Sequence, residues 1–161
     1  MDDSGEHDET DVFRAIGESG ARALLIGRKA MIALGLPVGT FDTDLWIHID
    51  DIEKLNAAMA RIDHFPNRTP EEARARGRYV LENSEHIDVM VARASTTKDE
   101  TPLSFDEAWS RRQVIPFLDT HIDLPAIEDL ILTKKWAMRA KDIGDIQLLE
   151  ALRRETLKGA P

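Results

Sequence analysis

The sequence predicts an α/β chain of the α+β type, a mixed β-sheet flanked by helices and followed by C-terminal helices. Three observations carry this expectation. From Ala23 to Asp50 the residues read as strand, glycine turn, short helix, second turn and strand. Two further stretches, 78–91 and 113–124, have the alternation and central turn residues of hairpins. From Ile127 onward apolar residues recur at helical spacing.

At 161 residues one domain with its own core is expected, spanning 12–158. There is no cysteine, which excludes disulfides and thiolate chemistry and fits a reducing cytoplasm. No apolar run is long enough to span a bilayer, and no signal-peptide pattern opens the chain, so no membrane partner is expected. Formal charge is −9, but residues 1–11 carry six acids and neither Lys nor Arg, leaving −3 on the rest. That stretch has one large apolar residue and reads as a disordered, solubilising acidic tail. An electrostatic arm for a partner is its other reading.

Val12, Phe13 and Ile16 fall at helical spacing, with Thr10 or Asp11 as N-cap and Gly20 as terminator. Ala23 to Ile26 suits a buried strand, and Gly27 ends it at a turn that glycine makes without steric cost. Ala30, Met31, Ala33 and Leu34 form one face of a short helix closed by Gly35 and Pro37. After the strand 42–49, Asp50 or Asp51 caps a helix with Ile52, Leu55, Met59 and Ile62 on its apolar face. His64 to Gly77 is a loop holding a short helical piece that Thr69-Pro70-Glu71-Glu72 begins. Arg68, Arg74, Arg76 and the adjoining Arg78 make it the most basic stretch of an acidic chain. A solvated helix face explains them, and an anion-facing patch is the sharper alternative.

Arg78–Glu82 and His86–Val91 pair across Asn83-Ser84-Glu85. Thr96 to Pro102 is a polar loop. Ser104 caps a helix with Asp106 and Glu107 in its first turn. Gln113–Leu118 and His121–Leu124 form the second hairpin. Ile127, Leu130, Ile131, Lys134, Ala137 and Met138 share one broad helical face, which places Lys134 among apolar positions. A lysine there needs a carboxylate or phosphate partner, unless it snorkels to the surface.

Asp42 and Asp44 lie two residues apart at the head of a strand, so both carboxylates project from one face. Two carboxylates about 4 Å apart repel by roughly 4 kcal/mol at an effective dielectric of 20. A cation between them relieves that repulsion. Two hard oxygen ligands beside a turn that offers backbone N–H groups to phosphates make a magnesium–nucleotide site. The plainer account has one Asp capping the turn and the other facing water. Asp88 stands inside an otherwise apolar strand, where a carboxylate must be paired, bind a cation or lie at a sheet edge.

Gly27-Arg28, followed at a distance by Asp42-Thr43-Asp44-Leu45, resembles the minimal nucleotidyltransferase domain of the DNA polymerase β superfamily. That signature is a G-S or G-G turn, about a dozen residues, then (D/E)-h-(D/E)-h. The flavour is that of small bacterial proteins reading G-G-x-A … H-G-x-P-R-x-T-x-D-x-D-L, relatives of the abortive-infection (AbiEii-type) toxins. The likeness continues downstream, where Leu130-Ile131 with Lys134 is similar to L-I-x-x-K, and Arg139 to Ile146 is similar to R-x-K-D-x-x-D-h.

The resemblance implies a mixed-sheet nucleotidyltransferase core in which Asp42 and Asp44 hold one or two Mg²⁺ on an NTP. It implies Asp88 as third metal ligand and general base. It further places Gly27, Arg28, Lys29 and Thr40 at the donor phosphates, and Lys134 either at a phosphate or bracing the acids. Asp142 and Asp145 would cap and tether the last helix. The implied reaction moves an NMP to a hydroxyl of tRNA, a protein or a small molecule such as an antibiotic. So little chain lies beyond the core that a toxin–antitoxin or defence role with a cognate partner protein is expected.

Two positions depart from the pattern. Arg28 replaces the small residue of the turn, and Val38 replaces the Arg of P-R-x-T. The expectation is that the anion contact has moved to Arg28, whose guanidinium grips phosphate bidentately. A catalytically inactive binding or partner protein is the alternative, and a D-x-D glycosyltransferase ranks third.

Overall fold

The computed structural model describes residues 8–83, 86–92, 95–96, 101–136 and 139–158. In chain order its elements are α1 (Glu9–Glu18), β1 (Ala23–Ile26), α2 (Gly27–Ala33), β2 (Thr43–Ile47), α3 (Ile52–Ala60), β3 (Phe65–Pro66), α4 (Pro70–Arg76), β4 (Arg78–Glu82), β5 (His86–Val91), β6 (Ser95–Thr96), β7 (Pro102–Leu103), α5 (Phe105–Ser110), β8 (Gln113–Phe117), β9 (Thr120–Leu124), α6 (Ile127–Lys134) and α7 (Ala140–Lys158). Five strands form a mixed sheet in the order β1-β2-β5-β4-β3. Its β2–β5 pair is parallel and the others are antiparallel. The expected α/β mixed sheet with C-terminal helices is the observed architecture.

Strand alternation divides the sheet into two faces. Ala23, Leu25, Leu45, Ile47, Tyr79, Leu81, Ile87, Val89 and Val91 are all buried. They form the continuous apolar face that α1 and α3 help to cover. The other face carries Leu24, Ile26, Asp44, Trp46, Val80, Asp88 and Met90. Trp46 there is fully buried, with Phe105 of α5 at 5.0 Å and Trp136 at 5.2 Å, both edge-on. The sheet is therefore sealed at its Trp46 end, while Asp44 and Asp88 stay partly open to solvent.

Local chemistry explains most element boundaries. Thr69 and Glu72 form the expected capping box of α4, and Gly77 closes it at φ +80°. Helix α1 starts earlier than Thr10 or Asp11 would cap it, because Asp8 and Asp11 form their own reciprocal box. Residues 8–11 of the expected disordered tail thus belong to this helix and its cap, and 1–7 lie outside the described residues.

Asp51 occupies the N-cap position of α3 but caps nothing. Its buried carboxylate instead accepts from the Arg22 backbone N–H at 2.7 Å, Nε at 2.8 Å and Nη2 at 3.1 Å. The hydrogen bonds from Arg22 pull its pKa down to about 2. Ser95–Thr96 pairs with Pro102–Leu103, so the ends of the expected 96–102 loop are short strands; 97–100 lie outside the described residues. The broad helical face from Ile127 to Met138 is also cut short. Helix α6 stops at Lys134, and Ala137 and Met138 lie outside the described residues. Among the described residues no helix is long and apolar enough to cross a membrane.

Candidate functional site

Strand β1 ends with Ile26 paired to Asp44, so the next residue, Gly27, turns directly over the Asp44 side chain. Gly27 has φ +71°, and a Cβ there would collide with Asp44 Oδ2 and sit 3.2 Å from its Cγ. Glycine is required here twice, for conformation and for space.

Parallel pairing places Asp44 opposite Asp88 in register, and Asp42 precedes β2 by one residue. Asp44 and Asp88 therefore share one end of one face, and Asp42, just outside the strand, is near enough for its charge to act on Asp44. Partial burial raises the Asp44 carboxyl above its ordinary value, with the charges of Asp88 and Asp42 adding to the rise. Lys134 and Lys141 pull it back. Asp42 is exposed, and its backbone N–H donates to Thr40 Oγ1 at 3.1 Å. Thr40 thus shapes the turn before the acids.

Asp88 has a partner that the sequence reading did not assign to it. Arg78 Nη2 donates to Asp88 Oδ1 at 3.3 Å. The signal was present in the hairpin register, because Val80 pairs with Asp88 and Arg78 lies two residues along the same face. Arg68 and Arg74 nearby are also engaged. Arg74 donates to Ile49 O and Glu53, and Arg68 donates to Arg78 O.

The expected phosphate cations have carboxylate partners within the protein. Arg28 is clamped by Asp145, with Nε to Oδ2 and Nη2 to Oδ1 both at 3.2 Å, and it also donates to Gly39 O. Lys134, buried as its helical position predicts, donates from Nζ to the same Asp145 Oδ2 at 2.9 Å. Burial alone would raise the Asp145 carboxyl, but the hydrogen bonds and charges of Arg28 and Lys134 bring it below the ordinary carboxylate range. Asp145 thus tethers α7 to both the turn and α6. Asp142 accepts from the Arg139 backbone N–H at 2.9 Å, which caps the start of α7. Lys29 pairs with Glu9 at 3.0 Å. Val38 packs against the core.

Asp44 and Asp88 side by side on one sheet face, with Asp42 close by, suit a hard divalent cation in donor chemistry and in backbone placement. The side-chain directions are not those of a closed cage. Asp88 faces Arg78, and among the described residues no three acidic or histidine side chains converge as metal ligands. A site built on Asp44 and Asp88 would require Asp88 to leave Arg78.

No family model matches the chain, and no curated protein is significantly similar to it in sequence. Solved structures do share its fold. The solution structure of the antibiotic-resistance factor ANT(2'')-Ia aligns at a TM-score of 0.62 and 16% identity, over 92% of this chain and 84% of that one. ANT(2'')-Ia crystallised with adenylyl-2''-tobramycin gives the same score and identity over 90% of its chain. The lincosamide antibiotic adenylyltransferase LnuA, lincomycin-bound, aligns at 0.58 and 13% identity, over 89% of this chain and 96% of that one. The chain has the α/β fold found in these proteins.

Proposed function

We propose that this protein transfers a nucleoside monophosphate from an NTP to a hydroxyl acceptor, as a member of the polymerase β-type nucleotidyltransferases. The observation that carries this reading is the meeting of Asp44 and Asp88 in register on parallel strands, with Asp42 just before them and the Gly27 turn against Asp44. The fold shared with ANT(2'')-Ia and LnuA supports it.

Asp42, Asp44 and Asp88 would hold one or two Mg²⁺, which when bound neutralise the triphosphate and the attacking and leaving oxygens. Asp88 turns from Arg78 and accepts the proton of the acceptor hydroxyl. The oxygen–phosphorus bond forms at the α-phosphate as the bond to pyrophosphate breaks. The Gly27 backbone borders the donor, while Arg28 and Lys134 act through Asp145 to fix the turn and the C-terminal helices as one scaffold. A small-molecule hydroxyl is the acceptor class that the structural neighbours favour. A tRNA or protein hydroxyl, in a cytoplasmic toxin–antitoxin or defence setting with a cognate partner, is the alternative acceptor.

Two ion pairs favour a second reading, a non-catalytic partner protein. Arg78 occupies the Asp88 carboxylate, and Asp145 occupies Arg28. A thermal melt with ATP, CTP, GTP or UTP, with and without Mg²⁺, separates the two. Nucleotide at about 100 times its dissociation constant adds about 2.7 kcal/mol. A Mg²⁺-dependent shift with one nucleotide, absent in Asp42→Asn/Asp44→Asn, supports transfer. No shift with any nucleotide leaves the partner reading.

A further inference from the structure

A cavity of about 560 Å³ opens between α1, α2, the Thr40–Phe41 turn and the β8–β9 hairpin. Its size lies within the range of small-molecule sites. Leu25 in its wall belongs to the Leu45 face of the sheet, and Asp44 alternates to the other. The cavity is therefore separate from the carboxylate site.

Its lining is mostly apolar, led by Phe13, Ile32, Phe41, Ile115 and Phe117, with Glu9, Lys29 and Thr40 as its polar residues. The Lys29 side chain is 13% exposed, and Glu9, its ion-pair partner among the described residues, is 53% exposed. An ammonium has three donors; Glu9 takes one of them and the apolar walls satisfy none. Glu9 stands on the first turn of α1 half open to water, so solvent shares its carboxylate and the ammonium can take a second anion. Phe41 is 96% exposed despite its size, so an occupant would cover apolar area now facing water.

We propose that this cavity binds a small amphiphilic carboxylate, its apolar body against Phe13, Ile115 and Phe117 and its headgroup on Lys29. A neutral apolar molecule would leave unsatisfied the donors that Glu9 does not take, and a cation would add like charge beside the ammonium. The site is also coupled to the acids. Thr40 and Phe41 form its wall, and Thr40 Oγ1 accepts the Asp42 N–H. An occupant that fixes this turn fixes the position of Asp42, which makes the cavity an effector site.

Calorimetric titration of the full chain with octanoate, octanol and octylammonium tests this without nucleotide, so its outcome is independent of the transfer reading. Octanoate is expected to bind one to one, with octanol and octylammonium at least tenfold weaker. Lys29→Met should weaken octanoate at least tenfold, while the cavity-filling Ala33→Trp and Ile32→Trp abolish binding with the circular dichroism of the native fold retained. The Asp42 amide resonance should move with octanoate occupancy. Absence of octanoate binding, equal binding of octanol, or unchanged binding in both folded tryptophan variants overturns the site. A fixed Asp42 amide under saturating octanoate overturns the coupling.

Discussion

Arg28 and Asp145, 117 positions apart, meet in a two-pronged ion pair that joins the turn after β1 to the helix ending the described chain. The guanidinium expected to grip phosphate instead grips the scaffold, and Lys134 completes the cluster from α6.

Asp145→Asn removes the anion that two cations share, one of them buried. Breaking a buried pair from one side costs about 3–5 kcal/mol, and the partial exposure of Arg28 places this case near about 3. Urea unfolding should show that loss. A loss below about 1 kcal/mol would show that the cluster contributes little to holding α7.

Gly27→Ala forces a side chain into left-handed backbone and against the Asp44 carboxylate. The conformation alone costs about 1–2 kcal/mol, and the collision must also displace Asp44. Stability should fall by more than about 2 kcal/mol and any nucleotide-induced melt shift should vanish. An unshifted melting curve with intact nucleotide response would mean that the turn is free to relax.

Asp44→Asn should do the opposite to the bare protein. The Asp44 carboxyl is raised by burial and by Asp88 and Asp42, so its charge weakens the fold above its unfolded-state pKa. The amide should gain about 0.5–1 kcal/mol at pH 7. That gain should disappear on acidification, once the wild-type carboxyl is itself protonated. Greater stability with lost nucleotide response is the mark of a functional charge. A destabilised variant at pH 7 would contradict the repulsion.

Asp51 supplies a pH dependence of the other sign. Its folded value of about 2 lies below its unfolded one, so its stabilisation is complete above about pH 4 and is lost as pH falls toward 2. Allowing for the partly exposed Arg22, the contribution is at most about 2 kcal/mol. Unfolding of wild type and Asp51→Asn at pH 7, 4 and 3 should show a gap that narrows only below pH 4.

What could be read from the sequence was local. Asp44 follows from its strand, Asp88 from a charge in an apolar run, and Thr69 from a capping pattern, while Asp42, expected on the strand, lies one residue before it. The buried place of Lys134 follows from helical periodicity. The identity of its partner does not, because nothing local links α6 to Asp145 on α7 or to Arg28. Asp51 misled for a related reason. A cap position predicts a cap, and only the fold brings Arg22 alongside. The Arg78–Asp88 contact lies between these cases, since it needs the exact hairpin register and not just the hairpin.

The parallel pairing of β2 with β5 has a consequence for order of assembly. Parallel neighbours cannot be joined by a tight turn. About forty residues, including α3 and β4, must cross over before Asp88 comes to lie beside Asp44. A nascent chain emerging from the ribosome therefore carries the first two acids well before it has the third. The carboxylate face, with its mutual repulsion, comes together late, after contacts formed by the intervening hairpin and helices are able to hold it.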